Sequence, residues 1–77
     1  MELQPLECVA LTHDIPEYGL KAGDLGTIVE MYEPDGLEVE FVTAAGQTQA
    51  LVSLRAPEIR KVGPGDMIAV RSAAPAA

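Results

Sequence analysis

The clearest pattern in the chain is the alternation Leu37-Glu38-Val39-Glu40-Phe41, which sends the apolar side chains to one face of a strand and the carboxylates to the other. Upstream, Thr27-Ile28-Val29-Glu30-Met31-Tyr32 is rich in β-branched residues and predicts a second strand. Between the two, Glu33-Pro34-Asp35-Gly36 supplies the fixed φ of proline, a turn-bonding Asp and a permissive Gly, so a hairpin is expected. Val29, Val39, Phe41 and Val52 are expected in the core, with Glu30, Glu38 and Glu40 exposed.

The remaining elements follow from shorter signals. Glu7–Thr12 reads as a first strand with Cys8 in the core, where a thiol behaves as a small apolar residue. Pro16 holds Ile15 extended, and the segment 14–22 reads as a surface excursion anchored by Ile15 and Leu20. Gly23-Asp24-Leu25-Gly26 predicts a tight turn, and Thr43-Ala44-Ala45-Gly46 another. A fourth strand is expected over Gln47–Leu54, with Thr48, Ala50, Val52 and Leu54 inward. Ala56-Pro57-Glu58-Ile59 suits one 3₁₀ turn leading into a short strand over 59–62. Gly63-Pro64-Gly65-Asp66 repeats the earlier Gly-Asp turn before a further apolar strand, Met67–Val70, and Ser72–Ala77 reads as a disordered tail.

Short strands punctuated by Gly and Pro, with no helical period, predict an all-β fold: a small SH3-like, partly open five-stranded barrel with a short 3₁₀ turn, forming one domain over residues 1–71. A chain of 77 residues leaves no room for a second domain.

Charge narrows the function. Twelve carboxylates face five bases, for a net charge of −7, and a field of that sign repels nucleic-acid phosphates. The first fifty residues carry ten of the carboxylates and only Lys21 as a base, so a face made there is acidic. One His and one Cys provide neither a disulfide nor a Cys/His zinc site, and His13 with Asp14, Glu17 and Cys8 is poorly spaced for a metal. No catalytic residue, metal or cofactor is expected. The opening has no basic leader and no stretch approaches a membrane span, which predicts a cytoplasmic protein with no membrane partner.

Asp14-Ile15-Pro16, Gly19-Leu20, Gly23-Asp24, Gly26-Thr27-Ile28-Val29-Glu30, Glu38-Val39-Glu40-Phe41 and Leu51–Leu54 together resemble the bacterial domain-of-unknown-function 4926 family over roughly residues 6 to 62. More loosely, the Gly-Asp turn before an apolar strand is similar to KOW-type and nitrile-hydratase-type SH3-like domains, and the chain departs from the nucleic-acid-binding members of those groups by its acidity. The family resemblance implies a stand-alone SH3-like barrel serving as partner of another protein, including antitoxin-like or immunity-like roles. In such barrels the loop after the first strand and the hairpin face carry recognition. Asp14, Glu17, Tyr18, Glu30, Tyr32, Glu38 and Glu40 are therefore the candidate partner-binding residues, for a protein with a basic surface. The alternative is an accessory subunit that completes a sheet or small homo-oligomer through strand edges, with Met67–Val70 as the adhesive strand.

Overall fold

The computed structural model describes residues 3–73. Five antiparallel strands form one sheet: β1 (Cys8–Leu11), β2 (Leu25–Tyr32), β3 (Gly36–Val42), β4 (Thr48–Arg55) and β5 (Ile59–Lys61). Single 3₁₀ turns, η1 (Pro16–Tyr18) and η2 (Ala56–Glu58), lie in the β1–β2 loop and between β4 and β5. The spatial order is β4-β3-β2-β1-β5, so β4 and β5 are edges that no ladder joins, and the sheet stays open as expected.

One face of this sheet buries the core. Val9 and Leu11 of β1, Ile28 of β2, Leu37, Val39 and Phe41 of β3, Ala50, Val52 and Leu54 of β4, and Ile59 of β5 pack together. Ile15 and Leu20 join them from the loop and exchange backbone hydrogen bonds as an isolated bridge, the anchoring their spacing predicted. Gly26, which reads as a turn residue in the sequence, instead lies inside β2 under the core. A Cβ there would sit 2.6 Å from Val39 Cγ1 and 2.8 Å from Phe41 Cε1, so the missing side chain makes room for the Phe41 ring.

Three expectations about faces fail, two of them for one reason. Val29 is half-exposed and Ile28 takes its core place, because β2 advances two residues from Ile28 to Glu30 while β3 advances one from Val39 to Glu38. This β-bulge leaves Val29 as the extra residue. A second bulge makes Val42 pair with Thr48 directly after Phe41 pairs with Ala50, so Thr48 leaves the core and is exposed. Cys8 is exposed, since the inward phase of β1 belongs to Val9 and Leu11. Glu38 and Glu40 point outward as expected but are half-buried by their neighbours on β4.

A further correction concerns the C-terminal segment. Met67–Val70 is not a strand: no backbone hydrogen bond ties it to the sheet, and Met67, Ile68 and Val70 are 94%, 74% and 97% exposed. Side chains hold the segment instead. Asp66 Oδ2 accepts the Gly63 N–H at 2.6 Å and the Arg60 guanidinium at 2.9 Å. The earlier turn has the same design: Asp24 Oδ2 accepts the Lys21 N–H at 2.8 Å, and Arg71 reaches back to both Asp24 oxygens and to the Gly19 carbonyl. The repeated Gly-Asp element is thus a turn whose Asp is clasped by an arginine. Of the expected tail at 72–77, residues 74–77 lie outside the described residues.

Candidate partner-binding surface

The β2–β3 hairpin and β4 build an outer face row by row. Thr27, Glu40 and Leu51 are opposed across three strands, and Glu30, Glu38 and Ser53 form the next row. Thr48 Oγ1 donates to Glu40 at 2.6 Å, and the Ser53 hydroxyl donates to Glu38. These hydroxyls orient the carboxylates and leave their charge in place. Glu30 directly opposite Glu38 is a like-charge cross-strand pair, an arrangement that works against the sheet.

Among the described residues no base is ion-paired with these carboxylates, and four of the five bases are engaged with other acids. Arg55 pairs with Asp35 at 3.2 Å, Arg60 with Asp66 at 2.9 Å, Lys61 with Glu7 at 3.3 Å, and Arg71 with Asp24. Among the described residues, Asp14, Glu17, Glu30, Glu33, Glu38 and Glu40 are in no ion pair. Asp14 acts locally, since its Oδ1 accepts the Ala22 N–H at 2.8 Å and closes the base of the η1 loop.

Glu17 and Tyr18 lie on η1, across a groove from β4. Its walls are Leu51–Leu54 on one side and His13, Ile15, Glu17, Tyr18 and Glu58 on the other. The Gln49 amide donates to the Tyr18 carbonyl at 3.2 Å and ties η1 to the start of β4. Tyr32 is elsewhere, lining a shallow hollow at the β2–β3 turn with Leu3, Met31 and Pro34. The two tyrosines, grouped together on sequence grounds, therefore belong to different depressions.

His13 and Glu58 were not expected to meet. His13 Nε2 lies 2.8 Å from Glu58 Oε1, and Nδ1 lies 2.9 Å from the Asp14 carbonyl. Both partners are acceptors, so only the doubly protonated ring donates to both. The hydrogen bond to Glu58, then that to the Asp14 carbonyl, accordingly raise the His13 pKa above its ordinary 6.5. Glu58 is held below its ordinary value by the Arg55 N–H and then by His13. Burial opposes ionisation of Asp24, but the Arg71 guanidinium and the Lys21 N–H outweigh it and keep that carboxyl low. The Arg60 guanidinium and the Gly63 N–H do the same for Asp66.

Among the described residues no three His, Cys, Asp or Glu side chains converge as metal ligands, and no helix is long and apolar enough to cross a membrane. What the surface offers is an oriented, unneutralised acidic face beside an open groove. No curated protein and no solved structure matches the chain. Residues 6–61, which hold all five strands, the η1 loop and the acidic face, match the family described as Domain of unknown function (DUF4926), and the chain belongs to that family.

Proposed function

We propose that this protein is a non-enzymatic interaction module that binds a cationic surface of a partner protein in the cytoplasm and so regulates or neutralises it. The observation that supports this reading most is the outer face of β2 and β3. Glu30 stands opposite Glu38, Glu40 lies in the next row, and all four described Arg and Lys residues after residue 50 are engaged with other acids. A cationic partner relieves the like-charge repulsion and is steered toward the face by its field. Tyr18, half-exposed on η1, is the aromatic anchor beside it.

The test begins with capture of the partner from the native cell and its elution by salt. Association should slow as ionic strength rises, and Glu38→Lys with Glu40→Lys should slow it further. Tyr18→Ala should act on dissociation instead. An association rate indifferent to both salt and the double reversal overturns this reading. A second reading, an accessory subunit that completes another sheet, is supported by the free edge of β4 and predicts binding that salt does not weaken.

A further inference from the structure

The two edges of the sheet are not alike. β5 is three residues long and carries Arg60 and Lys61, the features by which edge strands are kept from pairing with other chains. β4 runs from Thr48 to Arg55 and has no charge and no proline before Arg55. Among the described residues, no backbone hydrogen bond beyond the ladder with β3 involves residues 50–54, so the alternate N–H and C=O groups on the outer side of β4 have no main-chain partner there. This edge opens onto the groove facing Glu17 and Tyr18, with Leu51 56% exposed at its rim.

We propose that the groove along β4 receives an extended segment of the partner as a sixth strand, one in which basic and apolar residues alternate. The inference rests on the reading of the protein as a binder of cationic partners and specifies the form the ligand takes. A strand added at about 4.8 Å from β4 pairs with its free main-chain groups. The pleat then sends alternate side chains to the two faces. Those on the core side meet a wall in which half-exposed Tyr18 covers the buried Ile15, with the His13–Glu58 pair also lining it; the Tyr18 ring is the part that suits apolar residues. Those on the outer side lie next to Leu51 and Ser53, whose cross-strand neighbours are Glu40 and Glu38, which suits Lys or Arg with their long stems. Glu17 at the facing wall adds a further unpaired carboxylate. A second copy of this chain fits the same edge poorly, because its net charge of −7 would bring two acidic faces together.

The test uses a blocked peptide of alternating lysine and valine, titrated into the full chain while backbone amide exchange is followed residue by residue. Exchange at the outward-facing amides of β4 should slow about tenfold on saturation, with β5 unaffected. A peptide N-methylated at alternate positions, and one with its lysines and valines segregated into blocks, should not produce this protection. Leu51→Lys, an exposed position that leaves the core intact, should weaken binding of the alternating peptide. The proposal is overturned by protection at β5 instead, by equal protection from the segregated or methylated peptides, or by concentration-dependent dimerisation through β4 without any peptide. If β4 stays unprotected while salt-sensitive capture of a cellular partner persists, only the strand addition fails. If capture itself is insensitive to salt and charge reversal, the broader reading fails whatever the peptide does.

Discussion

Long ladders join β3 to both its neighbours, from Thr27–Glu40 to Tyr32–Gly36 on one side and from Gly36–Arg55 to Val42–Thr48 on the other, whereas β1 meets β2 only at Cys8–Ala10 and β5 only at Val9–Leu11. The β2–β3–β4 meander also contributes most of the core, and its outer carboxylates are unpaired. The β1–β5 end compensates for its short ladders with charge: Lys61–Glu7, Arg60–Asp66, Arg71–Asp24 and His13–Glu58 all gather around it. Apolar burial and main-chain pairing hold one region, and oriented ion pairs at turns supplement the other. The bases that reinforce the short end are the ones missing from the acidic face, so stability in one region and unneutralised charge in the other share a cause.

Chemical or thermal unfolding can break this contrast. Phe41→Ala, in the middle of the meander core, should cost about 3–5 kcal/mol, and the loss should be the same at low and high salt. Gly26→Ala places a methyl group against Val39 and Phe41 where the meander adjoins β1, and should cost about 1–3 kcal/mol through overpacking. Arg71→Ala removes the partner of the partly buried Asp24 and should cost about 1 kcal/mol or less, diminishing as salt is added. Its clearer signature is faster proteolysis of residues 62–73 with the exchange of the β2–β3–β4 amides unchanged. Glu38→Lys with Glu40→Lys should change stability least, within about 0.5 kcal/mol, since neither carboxylate is in an ion pair.

Acidity sharpens the same contrast. Asp24, Asp66 and Glu58 have folded-state pKa values below their ordinary 3.8, 3.8 and 4.5, so what they contribute is present above those values and lost as pH falls through the lower folded ones. His13 has a raised value, so its contribution is complete below 6.5 and lost as pH rises through the higher folded one. Exchange protection of the β1–β5 end and its turns should therefore be greatest between pH 4.5 and 6.5 and decline on either side, while the meander varies less. A profile in which both regions change together would remove the distinction.

Period-two alternation made β3 legible in the sequence, and Pro16 with the spacing of Ile15 and Leu20 made the η1 loop legible. Local pattern fails where a single residue is added to a ladder. The bulges at Val29 and Gln49 shift the phase of β2 and β4, and nothing adjacent in sequence marks them. Cys8-Val9-Ala10-Leu11 is apolar throughout, so it carries no phase from which to learn that Cys8 faces out. Met67–Val70 has the composition of a strand, but a strand needs an edge to pair with, and among the described residues this segment hydrogen-bonds to neither edge of the sheet. Of the candidate surface, the outward carboxylates were readable from alternation. The groove was not, because it joins η1 to β4 across the fold, and neither was the His13–Glu58 pair, separated by 45 positions.

The Arg71 clasp affects where this protein can be cut. The family match stops at residue 61, yet Arg71 reaches back 47 positions to Asp24. A fragment ending at 61 retains every strand and loses Asp66 and Arg71, one charge of each sign, so its net charge is still −7. The distribution of that charge is different. Arg60 becomes an uncommitted cation on β5, and Asp24 an uncommitted anion beside the start of β2, so the short form leaves bare two opposite charges that are each paired in the longer chain. Binding measured on such a fragment would report on an altered electrostatic object, even though its fold and net charge match those of the whole.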